Sequence, residues 1–137
     1  MKRNQNKIVG FTAGAMDLLH AGHLIMLKEI KAQCDELIVA LQTDPSLDRP
    51  EKHKPIETVE ERMIRLKACK YVDRIVTYDR ESDLVNLLKE LQPDIRFLGA
   101  DWKGKHFTGD DLPIKVIFNS RNHNYSSSNL IQRIKQS

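Results

Sequence analysis

Apolar residues along this chain fall into short runs, separated by segments in which they recur every three or four positions. Short runs rich in Val, Ile, Leu and Phe are typical of β-strands, and an uninterrupted run is typical of a strand covered on both faces. We predict five strands on this basis: Ile8–Thr12, Leu37–Leu41, Val72–Val76, Ile95–Leu98 and Ile114–Phe118.

Helical spacing dominates between these strands. Thr58 and Glu61 form a capping-box signature at the start of the second helix, and the third helix carries leucines at i, i+3, i+4 and i+7. The segment Asp44–Ile56 contains three prolines and is predicted to be a loop. The first helix is predicted over Gly22–Gln33, with Leu24, Leu27 and Ile30 on one face, and the second runs through Met63, Leu66 and Ala68. The third is amphipathic, with Leu84, Leu87, Leu88 and Leu91 on one face, and the last begins at Ser126, with Leu130, Ile131 and Ile134 inward.

Strands that alternate with helices predict right-handed crossovers and a doubly wound α/β fold around a five-stranded parallel sheet. With 137 residues, we expect a single domain over 1–137. Ligands of such sheets bind beyond the carboxyl ends of the strands. The segments 14–23, 44–55, 99–111 and 120–128 follow strands and are therefore the places to look for chemistry.

Composition narrows the class of protein. Apolar residues make up 40% of the chain and charged residues 30%, which argues against disorder and against a membrane protein. A net charge of +3 is a weak case for nucleic-acid binding, and we expect no nucleic-acid partner. Cys34 and Cys69 lack a nearby cysteine partner, and the N-terminus lacks a signal-peptide pattern, so we expect a cytoplasmic protein with reduced thiols.

Two histidines stand where the first strand passes into the first helix. His20 and His23 are three residues apart, with Gly22 between them, and a helix N-terminus offers unpaired N–H groups that suit phosphate. Both imidazoles can donate to phosphoryl oxygens. Two other interpretations stay open: ordinary packing histidines, and a metal site formed by Asp17, His20 and His23.

The segment Gly14–His23, with the sequence GAMDLLHAGH, resembles the G-x-F-D-x-x-H-x-G-H signature of nucleotidyltransferases related to glycerol-3-phosphate cytidylyltransferase. The likeness continues in order along the chain. It covers Ala40–Asp44, Glu61-Arg62, Tyr71–Asp73, Gly99–Lys105 and Arg121–Ser128, the last of which is similar to an R-T-x-G-I-S-T-T segment.

This resemblance implies a Rossmann-like nucleotidyltransferase fold and a reaction. A nucleoside triphosphate and a small phosphorylated acceptor would give a nucleoside-diphosphate conjugate and pyrophosphate. CTP is the expected donor, because Asp101 can accept a hydrogen bond from the amine of cytosine; ATP is the alternative, since adenine also has an amine. The acceptor would be a polyol phosphate, a sugar phosphate or a phosphonate. The family also implies Mg²⁺ on the triphosphate, with Asp17 as its protein contact, and a homodimer.

The residue roles implied by the resemblance fall into three groups. The catalytic residues are His20, His23, Lys54 and Arg121, with Lys52 as the reserve for Lys54. The nucleotide-binding residues are Ala13, Gly14, Ala15, Gly22, Gly99, Asp101, Ser126 and Ser127. The substrate-binding residues are Arg62, Lys70 and Asp73.

The sequence also departs from the family pattern. Ala15 stands where a threonine is usual, Met16 replaces an aromatic residue, and Lys70 replaces an arginine, which makes glycerol-3-phosphate itself a doubtful acceptor. Asn122 and Asn124 replace a threonine and a glycine in the closing motif. A nucleotide-binding module that lacks turnover therefore remains a third hypothesis.

Overall fold

Five parallel strands form one sheet; α-helices connect the first four in the predicted alternation, and a loop with a 3₁₀ turn connects the fourth to the fifth. The computed structural model describes residues 6–120 and 125–137. Its strands are β1 (Val9–Gly14), β2 (Glu36–Gln42), β3 (Arg74–Tyr78), β4 (Ile95–Gly99) and β5 (Lys115–Asn119). Its α-helices are α1 (Ala21–Lys31), α2 (Val59–Lys67), α3 (Glu81–Leu91) and α4 (Ser127–Gln136), and short 3₁₀ turns lie at Pro45–Leu47 and Ala100–Trp102. The α/β class predicted from the sequence is confirmed.

The strand order places a topological switch at the centre of the sheet. The order is β3-β2-β1-β4-β5, so the chain moves outward from β1 to β3 and then returns to the other side of β1. β1 pairs with β2 from Val9↔Glu36 to Gly14↔Leu41, and it pairs with β4 at Phe11↔Arg96. Because all pairs are parallel, every strand ends at the same edge, where ligands of doubly wound sheets bind.

Each face of the sheet has its own apolar core. Successive strand residues point to opposite faces, so Leu37, Val39 and Leu41 pack on one side and Ile38 and Ala40 on the other. The first face also receives Leu27 and Ile30 of α1 and Leu66 of α2, and the second receives Leu84 and Leu88 of α3. Coverage of both faces explains why the β2 sequence is an uninterrupted apolar run.

Three details differ from the sequence-based expectation. β3 covers Arg74–Tyr78 instead of Val72–Val76, because Asp73 binds backbone at the start of β2 and the strand begins after it. Leu24 of α1 is 40% exposed, and Ile134 of α4 is 61% exposed, so neither faces the core as predicted. In α1 and α4, fewer apolar residues face the sheet than their spacing in the sequence predicted.

Cys34 and Cys69 are free thiols that pack against the core on the α1–α2 face, as expected for small apolar residues. Within residues 6–120 and 125–137, we find no helix with the length and apolar character required to cross a membrane.

Candidate active site

The two histidines form the N-terminal cap of α1. The ring Nδ1 of His20 accepts a hydrogen bond from the N–H of Gly22 at 3.1 Å, and the N–H of His20 donates to Nδ1 of His23 at 3.1 Å. The two rings lie 3.9 Å apart between centroids and are tilted by 31°. Because each Nδ1 accepts, the neutral ring carries its proton on Nε2, which makes Nε2 the hydrogen-bond donor of each imidazole.

His23 is held in its neutral form. Burial, together with the smaller effect of the charge of His20, lowers the pKa of His23 to about 4, although the carboxylate of Asp17 opposes the shift. At neutral pH, His23 is therefore a hydrogen-bond donor and not a general acid. The sequence predicted that this pair binds phosphate, and the structure adds which ring nitrogen of each histidine carries the proton.

Asp17 fastens the turn after β1 to the segment before α2. Its Oδ2 accepts the N–H of Ile56 at 2.8 Å, and its Oδ1 accepts the N–H of Glu57 at 3.0 Å. Glu57 returns the contact, because its Oε1 accepts the N–H of Leu18 at 2.9 Å. Met16 and Leu18 adopt left-handed backbone with φ of 52° and 62°, a conformation that costs about 1–2 kcal/mol in a residue other than glycine. The exchange of hydrogen bonds with 56–57 holds this strained turn in place.

Asp17 and the histidines do not form the metal site considered from the sequence. Among the residues that the structure describes, no group of three or more His, Cys, Asp or Glu side chains is arranged to hold a metal ion. Each oxygen of Asp17 retains a lone pair beside its backbone contact, so a single contact to Mg²⁺ on a bound triphosphate fits this carboxylate.

Arg62 lies behind the site, in place of the substrate contact expected from the sequence. Its side chain is 1% exposed, and its guanidinium donates to four backbone carbonyls. The acceptors are the carbonyl oxygens of Glu57, Ala15, Gln42 and Thr43, at 2.6–3.1 Å. Arg62 therefore joins the ends of β1 and β2 to the start of α2, and it positions the residues that line the site.

Two clefts open at the carboxyl edge of the sheet. The histidine cleft, of about 260 Å³, brings together seven of the predicted residues: His20, Gly22, His23, Gly99, Asp101, Ser126 and Ser127. The lysine cleft, of about 390 Å³, contains Ala13, Gly14, Ala15, Asp17, Lys52 and Lys54. Ser127 lines both clefts, so they meet at the N-terminus of α4.

The two lysines of the Asp44–Ile56 loop both line the lysine cleft, and both are exposed. The pKa of Asp44 lies below its usual value, chiefly because of its hydrogen bond with the Ser46 hydroxyl, and Lys54 adds to the effect. Lys54 therefore lies close to the end of β2, but the geometry does not separate it from Lys52 as the triphosphate ligand.

The structure describes residues 125–128 of the closing motif Arg121–Ser128. Ser126 caps α4, since its Oγ accepts the N–H of Asn129 at 3.0 Å, and Ser127 Oγ donates to the carbonyl oxygen of Asp17 at 3.4 Å. Both serines therefore lie at a helix N-terminus beside the β1 turn, where an anion is favoured. Arg121, Asn122 and Asn124 lie outside the described residues.

Lys70 and Asp73 are away from both clefts of this chain, contrary to the substrate role expected for them. Asp73 Oδ2 accepts the N–H of Leu37 at 2.8 Å and pairs with Lys31 at 2.7 Å, at the amino edge of the sheet. Lys70 is exposed after the end of α2, with its ammonium 5.3 Å from the ring of Tyr71. The helix α2 starts at the carboxyl edge of the sheet and ends at the amino edge. Lys70 and Asp73 follow its end and therefore lie far from both clefts.

Sequence reasoning missed four residues at the site. Glu57 braces the β1 turn, Tyr78 and Arg96 line the deep part of the lysine cleft, and Arg49 lies over the ring of Trp102 at 5.3 Å. One signal was available: Arg96 is a charged residue between the apolar residues Ile95 and Phe97 of a strand. Tyr78 and Glu57 have no comparable signal.

The comparisons with known proteins agree with this geometry. A family model described as cytidylyltransferase-like matches residues 11–133. The chain belongs to the cytidylyltransferase-like family. A solved structure from Thermoplasma volcanium, described as a lipopolysaccharide core biosynthesis protein, is 31% identical with a TM-score of 0.67 and covers 88% of this chain and 99% of its own.

Longer relatives share this cytidylyltransferase-like region. The bifunctional protein HldE of Campylobacter jejuni is 37% identical over 136 residues, and that of Helicobacter pylori is 36% identical over 137 residues. In both cases the match covers 98–99% of this chain but 29% of the relative. A pantothenate synthetase from Thermus thermophilus, 16% identical with a TM-score of 0.65, shares the fold and covers 94% of this chain and 64% of its own.

Proposed function

We propose that this protein transfers a nucleotidyl group from a nucleoside triphosphate, CTP first, to the phosphate of a small phosphorylated acceptor and releases pyrophosphate. The observation that carries the proposal is the meeting of two clefts at Ser127, one containing the histidine pair and the other the exposed lysines. Two substrates that must react with each other require adjoining sites of this kind.

The chemistry asks for positioning and charge stabilisation more than for proton transfer. The acceptor phosphate is already an anion, so its oxygen attacks the α-phosphorus in line while pyrophosphate leaves. The Nε2–H groups of His20 and His23 donate to phosphoryl oxygens as negative charge builds on them. Lys54, or Lys52 in its place, neutralises the triphosphate, and the N-terminus of α4 with Ser126 and Ser127 receives further phosphate oxygens.

Mg²⁺ would neutralise the triphosphate and favour departure of pyrophosphate, with the carboxylate of Asp17 as its protein ligand. Arg121 is proposed as a further phosphate ligand, because an arginine offers a planar pair of donors. Gly99 and Gly22 border the nucleotide in this proposal, and their lack of a side chain lets the ligand approach the backbone.

Asp101 is the proposed acceptor for the base. It lines the histidine cleft, and its carboxylate suits an exocyclic amine such as that of cytosine. ATP remains the alternative donor because adenine has an amine as well, and UTP is expected to be a poor donor because uracil has no exocyclic amine. The relative described as a lipopolysaccharide core biosynthesis protein favours a sugar phosphate among the acceptors, ahead of a polyol phosphate or a phosphonate.

Pyrophosphate release tests the proposal. The protein is incubated with Mg²⁺, with each of the four nucleoside triphosphates in turn, and with a panel of sugar 1-phosphates and polyol phosphates. Release that requires both CTP and one acceptor is expected, and release that requires ATP would instead support the adenylyltransferase. Nucleotide binding without release from any pair would support the module that lacks turnover and contradict the proposed reaction.

Lysine variants assign the triphosphate ligand within the same assay. Lys54→Ala is expected to lower kcat more than Lys52→Ala does, and the reverse ranking would exchange their roles. The expected homodimer, and the expectation that no nucleic acid binds, remain predictions; light scattering at several protein concentrations measures the first directly.

A further inference from the structure

The deep part of the lysine cleft contains two buried polar side chains that the proposed reaction does not use. Arg96 is the second residue of β4, and Tyr78 is the last residue of β3. Both line the cleft, yet Arg96 is 4% exposed and Tyr78 is 6% exposed. A buried arginine inside a strand needs a reason, because charged side chains are seldom enclosed without a partner.

Burial lowers the pKa of Arg96, and the carboxylates of Glu81 and Asp110 oppose this shift without pairing directly with the guanidinium. Its Nη1 donates to the carbonyl oxygen of Thr108, and its guanidinium lies 5.2 Å from the centroid of the Phe107 ring. Over the described parts of the chain, Arg96 forms no ion pair. Glu81 lines the same cleft, but its carboxylate is paired with Arg49 at 3.5 Å.

The remaining donors of Arg96 reach the cleft. A guanidinium has five N–H groups, and the bond to Thr108 uses one of them. In the described residues, every fully enclosed side-chain nitrogen or oxygen has a hydrogen-bond partner. The Nε and Nη2 atoms of Arg96 and the hydroxyl of Tyr78 have no such partner, so they are not fully enclosed, and both residues line the cleft. Burial raises the pKa of Tyr78, which keeps this hydroxyl protonated as a donor.

The position of Arg96 separates it from the reacting phosphate. Arg96 pairs with Phe11 in the sheet, three residues before Gly14 at the carboxyl edge. At about 3.3 Å per residue, the backbone of Arg96 lies about 10 Å from that edge, whereas Tyr78 is the last residue of β3 and lies at the edge itself. Both side chains line the lysine cleft, and neither lines the histidine cleft. A group that binds at Arg96 is therefore a different part of the acceptor from the phosphate that attacks.

We propose that Arg96 and Tyr78 bind a second anionic group of the acceptor, a carboxylate or a second phosphate. The preferred acceptor is then a phosphorylated sugar that carries an acid group at the end remote from its reacting phosphate. This inference rests on the proposed transfer to a phosphorylated acceptor. Trp102 and Phe107 also line the cleft, and their rings offer apolar surface to the sugar between the two anionic groups.

Three matched sugars test the inference by calorimetry on the full chain without nucleotide. Glucose 1-phosphate has one anionic group, glucuronic acid 1-phosphate adds a carboxylate, and glucose 1,6-bisphosphate adds a phosphate. At least one of the last two should bind about tenfold to a hundredfold more tightly than glucose 1-phosphate, the range expected for hydrogen bonds to a charged group. Which one binds more tightly identifies the second anion, and equal binding of all three would overturn the inference.

Variants of the intact protein test whether Arg96 and Tyr78 cause the preference for doubly anionic sugars over glucose 1-phosphate. Arg96→Gln should abolish it and leave binding of glucose 1-phosphate within about threefold, whereas the exposed Arg74→Gln should leave it unchanged. Tyr78→Phe, which retains the ring, should reduce it. If Arg96→Gln fails to fold, Arg96→Lys serves in its place and should weaken the preference, since lysine lacks the planar fork. An unchanged preference in a folded Arg96 variant would contradict the inference.

The same experiments distinguish failure of the proposed anion site from failure of the proposed transferase function. A wild-type protein that binds the doubly anionic sugars selectively, yet releases no pyrophosphate with any triphosphate, would support the anion site and contradict the transferase. Pyrophosphate release that is indifferent to the second anion would do the opposite.

Discussion

At the scale of single residues, the histidine pair shows how backbone contacts set the chemistry of a side chain. The Nδ1 atoms of His20 and His23 are committed to the first turn of α1, which directs both ring protons to Nε2. The same contacts order the helix start, so the residues that would bind phosphate also determine where the helix begins.

We predict that His20→Ala and His23→Ala each lose about 2.7–4 kcal/mol of transition-state stabilisation, or roughly 10²–10³ in kcat. The reason is the loss of one donor to a phosphate oxygen. Pyrophosphate release under saturating substrates measures the effect, with the exposed His106→Ala as the control. Turnover near the wild-type value in either variant would remove the histidines from the mechanism.

We predict that His23 titrates near pH 4 in the free protein and at higher pH when a triphosphate is bound, because a nearby anion favours the imidazolium. Imidazole NMR signals followed from pH 3.5 to 8 report the value directly. The unfolded chain takes up this proton near pH 6.5, so the free energy of unfolding should fall as the pH drops from about 6.5 toward 4. A free-protein value near 6.5 would mean that the ring is not enclosed.

At the scale of elements, the site depends on the junction of β1, β2 and α2. Arg62 joins these elements through four carbonyls, and Asp17 and Glu57 exchange hydrogen bonds across the same junction. The sequence indicated that Arg62 lies near the site, as the resemblance implied. It did not reveal its burial, because an arginine at a helix start looks the same in either environment.

Arg62→Met is expected to lower the free energy of unfolding by about 3 kcal/mol or more, since each buried carbonyl left without a donor costs about 1–3 kcal/mol. Urea denaturation followed by circular dichroism provides the measurement. Lys67→Met lies on an exposed position of the same helix and should change the free energy by less than about 0.5 kcal/mol. Similar stability of the two variants would show that the carbonyls find other donors.

At the scale of the whole molecule, close packing between β1, β4 and the turn after α1 leaves no room for a side chain at Gly10. A Cβ atom there would lie 2.7 Å from Cys34 Sγ and 2.7 Å from Phe97 Cε2. Gly10→Ala should therefore destabilise the fold by about 1–3 kcal/mol through overpacking. Gly99→Ala is the control, because its Cβ would meet no atom within 4 Å. The midpoint of denaturant unfolding distinguishes them, and equal midpoints would refute the expected overlap.

The sequence by itself determined the class of fold and the order of the elements, and it placed the predicted phosphate-binding histidines at the start of α1. These features depend on local periodicity, on capping residues and on a contiguous motif, all of which are visible along one chain. The tertiary structure decided the rest. It brought Ser126 and Ser127 against the β1 turn, moved Lys70 and Asp73 to the opposite edge, buried Arg62 behind the site and opened Arg96 into the lysine cleft. Strand order and register set these distances, and the pairing of β1 with β4 joins residues that lie 85 positions apart in the sequence.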